Sequence, residues 1–360
     1  MKKFISMFLA AVTMAFSLTA CGGNNQSTNP TTTAAPTTAQ NESQAPTESS
    51  ATNTQANNQE KVTLNVAYMP NYASLWSVLT GIDQGYFAEE GLEIELWEFT
   101  DGPAEIAAME SGNMDLAYIG KGAHKLCILG QATIFAPSSV HTTDTIVGLS
   151  SHGVNSVNDL AGKTVAYTSG SSSETTLNNA LAVAGLTMDD ITAMEMTAEN
   201  MVISMISGSI DACAAWSPYT LEIYKQVEDA IEIEFNNDSV NLASWICMPS
   251  YAENNHDVLI RFSRALYKAM DYASKPENYE YVAEMVAKQT GTSLESSMNQ
   301  TGDADWFDIA TLQEILADGT LEGYYNHLQE DFVRDGVLTE ADKVDVNQFV
   351  LLDLIKEALE

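Results

Sequence analysis

A chain of 360 residues with 49 acidic and 15 basic side chains, a formal charge of −34, has no concentrated basic face with which to hold phosphates, which excludes nucleic acid as a partner. Its histidines, His124, His141, His152, His256 and His327, stand at no metal-ligand spacing from cysteine or carboxylate, so neither metal nor cofactor is expected.

Met1-Lys2-Lys3 followed by the apolar run Phe4–Ala20 has the layout of an export signal and is too short to span a membrane. The run closes on Leu18-Thr19-Ala20-Cys21-Gly22, which resembles the bacterial lipobox. That resemblance implies a signal peptide over residues 1–20, cut before Cys21, and a lipid on the Cys21 thiol. Loss of Lys2 and Lys3 with the leader brings the formal charge to −36. From Cys21 to about residue 60 the chain is Thr, Ser, Asn, Gln, Ala and Pro, too poor in large apolar side chains to offset ordering entropy, and is expected to be a disordered tether. The remainder, from Lys61 to Glu360, is long enough for two lobes.

Val62–Met69 alternates and stops at Pro70-Asn71, predicting a strand, and Ser74–Gln84 follows as a helix ended by Gly85. Leu92–Phe99 predicts a second strand, after which Thr100-Asp101-Gly102-Pro103 starts a helix that stops at Ser111-Gly112. Met114–Ile119 is a short apolar strand, and Ala132–Ala136 another beyond a helix around Ala123–Leu129. This alternation implies a mostly parallel sheet.

The stretch MESGNMDLAY, Met109–Tyr118, returns as MISGSIDACA, Met205–Ala214: Ser-Gly breaks a helix and Asp enters a buried strand in both. Around the second copy, Thr164–Tyr167 and Ile191–Met196 read as strands, and Ser172–Ala184 as a helix burying Leu177, Ala180, Leu181 and Ala184. Two such units, joined by extended segments near Thr143–Gly148 and Ala243–Met248, predict an α/β protein of two lobes connected by two hinge strands. Residues 61–145 with 247–360 form lobe 1 and residues 146–246 form lobe 2, each a mostly parallel sheet flanked by helices. The helix Asp257–Ser274 returns to lobe 1 on Phe262, Leu266, Ala269 and Ala273, and Cys127, Cys213 and Cys247 are read as small core residues. A ligand in such folds sits where strand ends meet helix N-termini, and facing sheets close on it by a hinge motion.

The run PNYASLWSVLTGIDQGYFAEEGLEIELWEFTDGPAEIAAMESGNMDLAYIG resembles the first lobe of the nitrate, taurine and aliphatic sulfonate substrate-binding proteins of ABC importers. DLAGKTVAYTSGSSSETTLNNALAVAGLTMDDI and SGSIDACAAWSPY resemble its second lobe, and DADWFD with DGTLEGYYNHLQEDFVRDGVL its closing helices. The resemblance implies a type 2 periplasmic-binding-protein fold and a monomer lipid-anchored to the outer face of the bacterial cytoplasmic membrane. It also implies delivery of a small solute to an ABC permease and its ATPase, without covalent chemistry. Related members bind thiamine-precursor pyrimidines, and one eukaryotic branch is an enzyme with a cysteine-rich motif, of which this chain has no counterpart.

Several residues are candidates for solute contact. Gly170, Ser171 and Ser172 start a helix, whose free N–H groups hold an anion or simply receive an ordinary serine cap. Gly102 and Gly120 sit at the equivalent turns of lobe 1, and Lys121 would place a cation at the cleft mouth. Trp216 and Tyr219 follow a buried strand and offer flat rings; Tyr68, Asn71, Tyr72 and His141 flank other strand ends. The acidity of the chain opposes an anion, though salt screens beyond about 8 Å. A pyrimidine or quaternary amine stacked on Trp216 and Tyr219 is the alternative.

Overall fold

The structure, a computed structural model, describes residues 61–141, 144–235 and 240–360. The expected signal peptide, Cys21 and the tether lie outside the described residues, as does Thr143.

Asn71 caps the helix Tyr72–Asp83 by accepting the Ser74 N–H at 2.9 Å, and Asp101 caps Gly102–Glu110 through the Ala104 N–H at 2.9 Å. Each helix therefore starts at the residue that satisfies its orphan donors. The strand β1 (Val62–Tyr68) precedes the first of these helices and β2 (Leu92–Glu98) runs between them, followed by β3 (Leu116–Ile119) and β4 (Thr133–His141). The chain then builds a second sheet from β5 (Thr145–Leu149), β6 (Thr164–Tyr167), β7 (Thr192–Glu195), β8 (Ala212–Ala215) and β9 (Ala230–Ile233). It returns to the first through β10 (Asn241–Cys247) and β11 (Ala304–Trp306).

The strand orders are β11-β4-β10-β3-β1-β2 and β7-β6-β8-β5-β9. Both sheets are mixed, which corrects the expectation of mostly parallel ones. β1 pairs in parallel with β2 and β3, and β6 with β7 and β8, as strand–helix–strand alternation requires. The strands next to the two passages between sheets, β4, β5, β9 and β10, pair antiparallel, because a strand that arrives from the other sheet enters from the opposite end. The boundary at residue 246 is corrected too: β10 is wholly buried between β3 and β4 of the six-stranded sheet, so residues 241–246 belong with lobe 1. The chain passes between sheets after β4 and after β9; β5 and β10 are sheet strands, not the links themselves.

The repeated stretch folds twice in one way. Gly112 and Gly208 end their helices at φ 76° and 66°, a left-handed conformation that disfavours a side chain. Asp115 accepts the Asn65 N–H at 2.8 Å and gives its own N–H to Asn65 O at 2.9 Å; Asp211 makes the same exchange with Thr164 at 2.8 and 2.9 Å. The aspartate thus finishes the ladder to the neighbouring parallel strand.

One continuous core covers the six-stranded sheet, where Phe262 of the helix His256–Ala273 meets Phe87, Phe135 and Trp245. The five-stranded sheet has a small core on each face, and successive β8 residues alternate between them. Cys127, Cys213 and Cys247 are free and buried.

Candidate functional site

A cavity of about 70 Å³ lies where the ends of strands from both sheets meet. One ordered water needs roughly 10–15 Å³ by this measure, so the space suits a small solute, not a peptide or sugar chain. Asn71, Gly102, Gly120 and His141 line it from the six-stranded side, and Ser171, Ser172 and Trp216 from the five-stranded side, all of them residues singled out in the sequence. The two sides touch closely. A Cβ on Gly122 would stand 2.1–2.6 Å from backbone atoms of Ser171, so only a glycine permits this approach.

The segment after β6 uses its own donors. The Ser171 hydroxyl donates to Thr168 O at 2.7 Å and accepts the Ser173 N–H at 3.2 Å; the Gly170 N–H goes to Glu174 Oε2 at 2.7 Å. Ser172 hydrogen-bonds to the Asp144 carboxylate. The helix start that reads as an anion cradle is therefore partly occupied by its own chain, and Gly170 faces Pro103 and does not line the cavity.

Lys121 corrects the expectation of a cation at the mouth. It lines the cavity yet is only 1% exposed, with Nζ 2.6 Å from Asp331 Oδ2. Desolvation lowers its pKa while Asp331 opposes the shift. Asp331 is also 2.8 Å from Arg334, and its Oδ2 receives the Val240 N–H at 3.3 Å. The charge of Lys121 is spent inside the fold on a segment leading into β10.

Three other candidates serve packing. The Tyr68 hydroxyl donates to Glu98 and accepts from Gln289; the Tyr72 ring is buried edge-on to Trp306; the Tyr219 hydroxyl donates to Glu199 at 2.7 Å. None of them lines the cavity. Tyr219 still bears on it by standing edge-on to Trp216, with centroids 5.8 Å apart and planes at 88°. His141 lines the wall with Nε2 2.9 Å from Ser139 Oγ, and burial pushes its pKa down to about 4, so it is neutral.

Sequence reasoning missed the carboxylates. Asp144, just before β5, receives the Asn241 amide at 3.2 Å, and Asp303, just before β11, pairs with Ser217. Burial raises Asp144 to about 6 and Asp303 to about 7, the latter further raised by Asp144. A lone aspartate between threonines at the end of a buried strand was a signal for the first. Nothing local marks the second, which is brought in from far along the chain.

The profile of the family described as NMT1/THI5 like matches residues 73–279, more than half of the chain. The protein is a member of the NMT1/THI5-like family. This NMT1/THI5-like protein is 25% identical over 298 residues to a provisionally named binding protein of Brucella abortus (strain 2308), covering 82% of this chain and 92% of that one. Its fold is similar to that of the alkanesulfonate-binding protein SsuA from Xanthomonas axonopodis pv. citri bound to MOPS, with a TM-score of 0.62 at 20% identity, covering 81% and 99% of the two chains. It is also similar to the periplasmic nitrate-binding protein NrtA from Synechocystis PCC 6803, with a TM-score of 0.65 at 14% identity, covering 82% and 88%. These likenesses show the two-lobed periplasmic-binding-protein fold for this family member.

Proposed function

We propose that the protein is the lipid-anchored, extracytoplasmic substrate-binding component of an ABC importer, catching a small organic solute between its sheets and handing it to the permease. The observation that carries this reading is the cavity walled from both sheets, with Gly122 lying against Ser171 where they meet. A ligand reaching both walls favours the closed arrangement by its contacts with each. The names of the relatives support a sulfonate- or nitrate-type solute; the carboxylates in the wall favour the heteroaromatic or cationic alternative. No covalent step is assigned to the cavity, whose histidine is neutral and held by Ser139.

The test is a thermal-shift screen of alkanesulfonates, taurine, nitrate, hydroxymethylpyrimidine and small amines. A solute at 100 times its Kd stabilises by about 2.7 kcal/mol, a readily seen rise in melting temperature. Small-angle scattering should show compaction with the same compound, and turnover of that compound would contradict the receptor reading. The anchor is tested separately: Cys21→Ser should move the mature chain from the membrane fraction to the soluble one.

A further inference from the structure

We infer that the solute is a small organic cation, an amine or quaternary ammonium, held between the carboxylates of Asp144 and Asp303 with the Trp216 ring covering its apolar part. The inference rests on the solute-capture reading above and concerns the charge that the same cavity selects.

Three independent observations converge on it. Among the described residues the wall carries Asp101, Asp144 and Asp303 against a single lysine, and that lysine pairs with Asp331. At the start of the helix Ser172–Val183 the Gly170 N–H, the Ser173 N–H and the Ser172 hydroxyl, three donors that could answer an anion, are committed to Glu174, Ser171 and Asp144. Asn241, only 6% exposed, gives its amide nitrogen to Asp144, while its Oδ1 takes no hydrogen bond from the described residues; it is an acceptor on the cavity wall open to an ammonium N–H or to a hydroxyl such as that of choline. An anion here would face at least two carboxylates in a cavity walled by largely buried side chains, where repulsion is stronger than at the surface. A cation would meet those carboxylates and an indole face, the arrangement that suits ammonium groups.

The groups around the acidic pair are Lys121 with Asp331, Asp101, Tyr118 and His141. Burial holds Tyr118 above its ordinary range and His141 near 4, so neither changes charge between pH 5 and 8. Over that interval Asp144 and Asp303 exchange protons, and a bound cation displaces them.

Titration calorimetry with choline, tetramethylammonium, methanesulfonate and nitrate, at pH 8 and pH 5.5, decides the matter. At least one of the two cations should bind at pH 8, lose about tenfold or more in affinity at pH 5.5 and release protons on binding. Asp303→Asn should lower that affinity about tenfold or more, and Trp216→Ala about tenfold. Without solute, Asp303→Asn should melt higher than the parent at pH 8, which separates lost binding from lost folding. Binding of methanesulfonate or nitrate with no response to either cation overturns the cation assignment and leaves solute capture standing. Silence from both cations, accompanied by no stabilisation anywhere in the wider screen, overturns both readings.

Discussion

The two copies of the Ser-Gly-x-x-Asp unit fold in the same way and then diverge at the ends of β3 and β8. Up to that point they share a left-handed glycine, a buried methionine one turn before it, and an aspartate that completes a parallel ladder at nearly identical distances. Beyond it, Gly120-Lys121-Gly122 stands where the second copy has Trp216-Ser217-Pro218. The first tip is built for approach and locking: Gly122 touches the Ser171 backbone and Lys121 is buried against Asp331. The second tip is built for display, with Trp216 on the cavity wall and Ser217 beside Asp303. The scaffold needs the repeat, whereas the site needs the repeat to be broken, since one solute between two identical tips would meet the same chemistry twice.

The largest effect should come from breaking the lock. Lys121→Met leaves Asp331 buried with one fewer cation and should cost about 3 kcal/mol in a denaturant melt, Arg334 sparing part of the penalty. Ser217→Ala at the matching position of the other copy should cost well under half of that. If the two cost the same, the division between locking and display is wrong.

Gly122→Ala is the next test. The added methyl cannot coexist with the Ser171 backbone at the present separation, so the sheets must part. Affinity for the captured solute should fall about tenfold or more while the melting temperature moves by no more than about 2 °C. Titration together with small-angle scattering reads both. Unchanged affinity would mean that the contact is incidental.

The shared part of the repeat can be probed by Asp115→Ala and Asp211→Ala, each of which strips a backbone N–H of its partner and should cost about 1–3 kcal/mol. Similar losses are expected because the geometry is the same. A smaller effect belongs to Ser171→Ala, which removes a helix cap and should cost about 1 kcal/mol of stability with little direct effect on solute affinity.

The pH dependence of the solute-free protein sharpens the picture. Asp144 and Asp303 have raised pKa values in the folded state, so they bind protons there more readily than in the unfolded chain. Their contribution is then fully present below about pH 4 and is lost as pH rises through about 6 and 7. Across pH 5 to 8 the solute-free melting temperature should therefore fall, and Asp303→Asn should flatten that slope. A parent slope that persists unchanged in Asp303→Asn would remove Asp303 as its source.

Much of the scaffold was legible. The strand Thr164–Tyr167 was read to the residue, the repeat was found by its Ser-Gly and Asp, and Phe262, Leu266, Ala269 and Ala273 are all buried as helical spacing required. Local patterns carry these features because each depends on neighbours within a turn or a strand. Asn71, Gly102, Gly120, His141, Ser171, Ser172 and Trp216 were also placed at the cavity, since strand ends and helix starts mark it in any α/β fold. Tyr68, Tyr72 and Tyr219 flank the same ends but point into packing, and a strand's alternation near its end does not say which way the next residue turns.

By itself the sequence determined two repeated α/β units, their elements and the ends at which a solute would be met, because periodicity and caps are short-range. Only the tertiary structure decided the charge of that meeting place. Lys121 and Asp331 are 210 residues apart and pair as opposite charges, while Asp144 and Asp303, at the neighbouring ends of the paired strands β4 and β11, are like charges brought together. Electrostatic energy depends on distance and burial in space, and neither is written in the order of residues along the chain.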